Sequence, residues 1–156
     1  MANICPAMRS MTANVFVDAN VLIYAVDTGD PFKQRIAQRW RSELWRRRAG
    51  RVSYQVLQEY YASVTRKWAR AQQQARDEVL DLLSWQPVTI DFVLLDIAWK
   101  VQDRHHLSFR DALIVAAANA ASCKYLLTED LQDGQRIEGV TVVNPFALDP
   151  ADILGD

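Results

Sequence analysis

Cysteine and histidine, the residues that most often staple small folds or hold zinc, are scarce here, with two of each in 156 residues. Cys5 and Cys123 give neither a disulfide framework nor a zinc spacing, and Cys123, ending an Ala-rich run, reads as a small apolar residue. His105 and His106 are adjacent and lack a third ligand at helical spacing, so they read as surface residues at a helix end. No apolar run approaches the ~20 residues of a membrane span. Residues 1–13 carry one Arg and no apolar core of a secretory signal, so a disordered leader is expected unless Met8 or Met11 is the true start. Repeats are absent, and Gln72-Gln73-Gln74 is too short to count as low complexity. Together these absences argue against a disulfide scaffold, a membrane-spanning chain and a His/Cys metal centre. A reducing, cytoplasmic setting is the default.

What is present is enough for one globular domain, with half the residues hydrophobic. A chain of this length buries about 68–70% of its unfolded surface without staples. Net charge is also nearly absent, at −1, but that value conceals an asymmetry. Residues 1–76 hold thirteen Lys and Arg against five acids, whereas residues 77–156 hold five against fourteen. One half suits a polyanion and the other suits cations or a basic partner.

The chain is organised around Asn14-Val-Phe-Val-Asp18-Ala-Asn20-Val-Leu-Ile-Tyr. Val15 to Val17 form a short buried strand, and the apolar residues from Val21 onward begin a helix. Asp18 and Asn20 therefore stand at the carboxyl end of a strand, where ligands collect in open α/β sheets. A simple helix cap is the competing role for either residue. Asp30-Pro31 starts a second helix, with Phe32, Ile36, Trp40 and Leu44 as its buried stripe. Its other faces carry Arg39, Arg46, Arg47 and Arg48 among further bases. Guanidinium forks match phosphate oxygens, and Trp45 is placed to stack on a base, but a solvated basic face is the commoner use of such a run.

Arg51 to Tyr54 is β-like and leads into a helix with Val56, Tyr60, Val64 and Trp68 at four-residue spacing and Glu59 on its flank. Residues 70–85 predict another amphipathic helix, Pro87 to Ile90 a strand, and Asp91 the cap of a helix running towards His105. Ser108 then caps a helix, Phe109-Arg-Asp111-Ala-Leu-Ile-Val-Ala-Ala-Ala118, that is apolar all round from Ala112 and so belongs in the core. Its first turn delivers Asp111 to the rim of the sheet. Lys124 to Thr128 is a buried strand, followed at once by Glu129, Asp130 and Asp133. Gly139 to Val143 is the last strand, and residues 147–156 read as an acidic tail with little to bury.

This order predicts an α/β fold with a mostly parallel sheet. Asp18, Asp111 and Asp130 map to its carboxyl edge, and Glu59 lies on a helix able to reach it. Four carboxylates in one crevice repel each other unless a cation sits among them. Hard oxygen donors without His or Cys suit Mg²⁺ or Mn²⁺, ions that stabilise in-line phosphoryl displacement. Hydrolysis of a phosphodiester follows, with the basic helix holding the strand.

Phe16-Val-Asp18-Ala-Asn20-Val-Leu-Ile, the mid-chain Glu59, Phe109-Arg-Asp111-Ala-Leu-Ile-Val-Ala-Ala-Ala and Leu126-Leu-Thr128-Glu-Asp130 together resemble the PIN-domain ribonucleases, and among them the VapC-like toxins. The resemblance spans about residues 14–146. It implies a three-layer sandwich with a five-stranded, mostly parallel sheet between helices, and metal-dependent endonuclease action on RNA. It further implies Asp18, Glu59, Asp111 and Asp130 as the catalytic, metal-ligating acids, with Asp133 in reserve for the fourth. Asn20 and Thr128 would steer those carboxylates. Arg110 would contact phosphate or make a structural ion pair. A small antitoxin protein and a homodimer are the partners the family implies. Two other classes remain in view. A non-catalytic nucleic-acid-binding or regulatory module would keep the fold without turnover. A phosphohydrolase or receiver domain would use a strand-end Asp as nucleophile, but Asp18-Ala-Asn20 lacks the second Asp and the last strands lack the positioned Lys.

Overall fold

A computed structural model describes residues 13–155 of the chain. The leader to residue 12, with Cys5, Met8 and Met11, lies outside the described residues.

The chain enters through β1 (Val15–Val17), whose three side chains are all buried. Asp18 then caps α1 (Ala19–Tyr24), its side chain accepting from the Ala19 N–H. Asp30 caps α2 (Pro31–Arg46), with Pro31 at the first helical position. A two-residue β2 (Gly50–Arg51) follows, then α3 (Tyr54–Lys67) capped by Ser53. The expected helix over 70–85 is α4 (Gln72–Leu82), flanked on both sides by single 3₁₀ turns. Asp91 and Ser108 cap α5 (Phe92–His105) and α6 (Phe109–Ala120). The chain ends in β3 (Tyr125–Leu127), β4 (Arg136–Ile137), β5 (Val140–Val143) and α7 (Pro150–Leu154).

The five strands form one sheet in the order β2-β1-β3-β5-β4, parallel except for the β4–β5 pair. This is the helix-flanked, mostly parallel sheet expected from the sequence. Helix α6 is buried from Ala112 through Ala118, as an all-apolar helix must be. Among the described residues no helix is long and apolar enough to cross a membrane. Cys123 is buried, and that burial pushes its thiol up to about 12, so it serves as the small apolar residue expected.

Four expectations need correction. Pro87 to Ile90 is not a strand: only an isolated bridge joins Ser53 to Val88, because Pro87 has no donor and Gln86 before it turns left-handed at φ 53°. The fifth strand is β4 instead, joined to β5 by Glu138 and Gly139, both at positive φ, as a mirror-type hairpin turn requires. Phe32 is 69% exposed rather than buried, while Ala37, Trp40 and Leu44 form the inner face of α2. Steps of four residues overshoot a turn by about 40° each, so the stripe has rotated off Phe32 two steps from Trp40. Residues 147–156 also have something to bury. Asp149 and Asp152 close a capping box on α7, Pro150 and Leu154 are covered, and the Arg47 guanidinium donates to the Leu154 and Gly155 carbonyls at 2.7 Å each.

Candidate active site

Register brings the first two groups together. Val17, at the end of β1, pairs with Leu127, at the end of β3, so Asp18 and Thr128 leave the sheet side by side. From β1 the chain crosses to β2 on one side, and from β3 it proceeds to β5 on the other. The crevice between them is the point where strand order reverses, the usual ligand position in such sheets.

Asp18 and Thr128 are each 1% exposed. The Asp18 carboxylate is held from two sides by uncharged donors. Its Oδ1 accepts from the Ala19 N–H at 2.7 Å and its Oδ2 from the Thr128 hydroxyl at 2.8 Å. Asn20 Nδ2 donates to Thr128 Oγ1 at 3.1 Å, and the Asp130 N–H donates to the same oxygen at 3.1 Å. Asn20 and Thr128 thus orient the acids around them, and Asp18 is at once a helix cap and a member of the cluster.

The remaining members come from helices. Capping by Ser108 Oγ, which accepts from the Asp111 N–H at 3.1 Å, fixes the first turn of α6 and with it Arg110 and Asp111. Helix α3 supplies Glu59, with Gln55 one turn earlier donating weakly at 3.5 Å to its carboxylate and at 3.4 Å to the Arg110 carbonyl.

At the centre is Arg110. Its Nη2 donates to Asp18 Oδ1 at 2.8 Å and to Glu59 Oε2 at 2.6 Å, its Nε to Glu59 Oε1 at 3.1 Å, and its Nη1 to Asp111 Oδ1 at 2.9 Å. Asp130 Oδ2 stands 3.5 Å from Nη1. The four acids singled out in the sequence are therefore brought round one guanidinium. Burial works against that charge, but the hydrogen bonds Arg110 donates to Asp18 and Glu59 outweigh it and hold Arg110 firmly protonated. Burial raises the Asp130 carboxyl above its ordinary range, a shift the nearby Asp18 charge reinforces.

Asp133, the reserve acid, is placed elsewhere: its Oδ1 accepts from the Asn144 N–H at 2.8 Å. Glu129 also turns away from the ring, to the Tyr24 hydroxyl at 2.5 Å and Lys33 Nζ at 3.0 Å. Of the arginines expected at RNA, Arg46 and Arg48 are exposed on and after α2, and Arg39 pairs with Asp149 at 3.0 Å. Arg47 is otherwise engaged, bonded to Glu43 at 3.2 Å and to the Leu154 and Gly155 carbonyls. Sequence reasoning left Arg110 between a phosphate contact and an ion pair, of which the structure shows the ion pair, and missed Gln55. The available signals were the one base in the first turn of an otherwise apolar helix, and an amide four residues ahead of Glu59 on the same face.

The donor set suits a hard divalent cation: carboxylate oxygens only, gathered at a positive charge that stands in for one. In this arrangement the guanidinium lies among the acids. Among the described residues no three His, Cys, Asp or Glu side chains are close enough together to share an ion.

Solved structures support the architecture. A toxin–antitoxin complex from Klebsiella pneumoniae is 23% identical, with a TM-score of 0.60 over 85% of this chain and 98% of that one. The FitAB complex bound to DNA is 18% identical, with a TM-score of 0.65 over 86% and 97%. VapC20 of Mycobacterium tuberculosis, named as a toxin that cleaves the sarcin–ricin loop, is 23% identical, with a TM-score of 0.59 over 72% and 87%. No curated protein matches the sequence. The model of the PIN domain matches residues 15–136, which include all four acids and Arg110, and the chain belongs to the PIN-domain family.

Proposed function

We propose that this protein is a divalent-metal-dependent endoribonuclease, the VapC-like toxin of a toxin–antitoxin pair, acting in the cytoplasm as a homodimer and restrained by a small antitoxin. The observation that carries the reading is the convergence of Asp18, Glu59, Asp111 and Asp130 at the switch point of a PIN-domain sheet. Residues 14–146 would be the catalytic domain, and the 147–156 segment its C-terminal extension.

In this reading the four carboxylates hold Mg²⁺ or Mn²⁺, which when bound neutralises charge developing on the scissile phosphate. Asp18 is the fixed member, because Ala19 and Thr128 orient it whatever the other acids do. Glu59 and Asp111 lie on helices either side of it and are the acids available to orient the attacking water and accept its proton. Asn20 keeps Thr128, and through it Asp18, in place. Arg39, Arg46 and Arg48 would contact the RNA backbone.

A second reading, a non-catalytic PIN-like binding module, is favoured by one feature: Arg110 already neutralises part of the ring. The deciding experiment is cleavage of a labelled mixed RNA pool by wild type and by Asp18→Asn, each with Mg²⁺, with Mn²⁺ and with chelator. Cleavage by wild type alone, and only with metal, is the expected result. Folded wild-type protein that binds RNA and never cleaves it would favour the binding module.

A further inference from the structure

The cation among the four acids is the chain's own, and its bonds are unevenly shared. Asp18 keeps the Ala19 N–H and the Thr128 hydroxyl if Arg110 leaves. Glu59 does not: both of its oxygens accept from Arg110, and its other partner is Gln55 at 3.5 Å. Asp111 and Asp130 line the open side of the ring, with side chains 22% and 46% exposed. Arg110 itself is 35% exposed, so its guanidinium has a way out to solvent. With that guanidinium in place, no three acids are near enough to share an ion among the described residues.

We propose that Arg110 is the built-in placeholder of the cation site: it keeps Asp18, Glu59, Asp111 and Asp130 assembled without an ion, and it must swing out before a divalent ion binds. The proposal rests on the metal-dependent reading of this site. One guanidinium leaves several facing carboxylates with excess negative charge, so a divalent ion has the larger electrostatic gain once it enters. Arginine has the advantage of being tethered, and its planar fork satisfies Asp18 and Glu59 together. Two occupants that exclude each other make apparent metal affinity depend on the fraction of molecules with Arg110 out. If that fraction is about one in ten, the ion binds about tenfold more weakly than to the vacated ring. Glu59, whose two oxygens both accept from Arg110, moves with it.

A purely structural ion pair predicts the reverse, because removing it would disorganise the ring and weaken metal binding. Mn²⁺ binding measured from the spin-resonance signal of the free ion separates the two, on wild type, Arg110→Ala and Arg110→Lys, with circular dichroism to establish folding. Arg110→Ala is expected to bind Mn²⁺ about tenfold more tightly than wild type. Arg110→Lys, which keeps the charge but not the fork, should fall between. In wild type with ¹⁵N-labelled arginine, the Arg110 Nε–H resonance should be protected from solvent exchange without ion and lose that protection at saturating Mg²⁺. Equal or weaker Mn²⁺ binding by folded Arg110→Ala overturns the proposal, as does an Nε–H resonance that Mg²⁺ leaves unchanged. Should Arg110→Ala not fold, Arg110→Lys and the resonance decide by the same criteria. If wild type binds Mn²⁺ and the variants gain nothing, only the placeholder fails. If neither wild type nor any folded variant binds, the metal-dependent reading fails with it.

Discussion

Helix α2 and the ring around Arg110 both concentrate arginine and acid, and they use them in opposite ways. On α2 the pairing is divided: Arg39 with Asp149, Arg41 with Glu78, and Arg46 and Arg47 on Glu43. In two of these pairs the arginine is well exposed, Arg39 at 61% beside Asp149 and Arg46 at 65% beside Glu43. Exposed pairs are worth about 0–1 kcal/mol, so a polyanion can compete for such arginines at little cost to the fold. In the ring a single guanidinium is shared by acids from two strand ends and two helices, and Asp18 is nearly inaccessible. The lesson concerns the charge asymmetry of the sequence. Part of it is consumed inside the fold, where Arg39 and Arg41 reach acids of the second half. What is left unbalanced is negative charge at the sheet edge.

The sharpest way to break the contrast is to remove one ring acid. Asp111→Asn keeps the shape and the Ser108 cap but loses a charge at the centre. Cleavage of the RNA pool should fall by about 100-fold or more, while the thermal midpoint holds or rises because repulsion is relieved. An unfolded variant, or full residual cleavage, would place Asp111 outside the machinery.

Within α2 itself the comparison can be sharpened by setting Arg47 against Arg46, its neighbour. Arg47 is 14% exposed on its side chain and ties the Leu154 and Gly155 carbonyls to α2, whereas Arg46 is 65% exposed. Arg47→Ala should lower stability by about 1–3 kcal/mol and make α7 the first site of proteolytic nicking. Arg46→Ala should change stability by less than about 0.5 kcal/mol in urea titrations. Equal effects would mean that α7 is not held through Arg47. For RNA the ranking inverts. Arg39, Arg46 and Arg48 changed singly to Ala should each weaken binding modestly and flatten the salt dependence by about 0.7 in log–log slope. Arg47→Ala should leave that slope unchanged.

How much of this was visible beforehand follows from the range of each interaction. Asp18 and Asp111 were legible because each stands next to a strongly patterned element, a buried strand and an all-apolar helix. Thr128 and Asp130 were legible for the same reason, at the end of β3. Glu59 was not selectable locally: nothing on α3 sets it apart from a surface acid, and only its position across the crevice does. Arg110 was legible as a phosphate contact or an ion pair, but not as the centre of the ring. Its partners Asp18 and Glu59 lie 92 and 51 residues away, a separation no local pattern reports. The two-residue β4 was too short for any alternation to register, and Glu138-Gly139 carries only half of the usual Asn-Gly turn signal. Phe32 was lost to rotation of the helix rather than to a mistaken helix.

The smallest expected effect comes from a third kind of charge pair, between the two extremes. Asp27 is covered, its side chain 11% exposed, but its partner Lys67 is 54% exposed, at 2.7 Å. The Lys67 ammonium, and after it the Gly29 N–H, hold the Asp27 carboxyl below its ordinary range. A carboxyl lowered on folding contributes stability that is fully present above its unfolded pKa, about 3.9, and is lost as pH falls through the lower folded value. Wild type should therefore lose part of its urea midpoint between pH 5 and pH 3 that Asp27→Asn does not lose, with the two curves converging at the acid end. Because Lys67 is half in water, 0.5 M salt should shrink the difference, whereas the Arg110 ring, less open to counterions, should keep most of its own. Parallel pH curves for the two proteins would mean that neither Lys67 nor Gly29 favours the charged carboxylate and that Asp27 is held by packing alone.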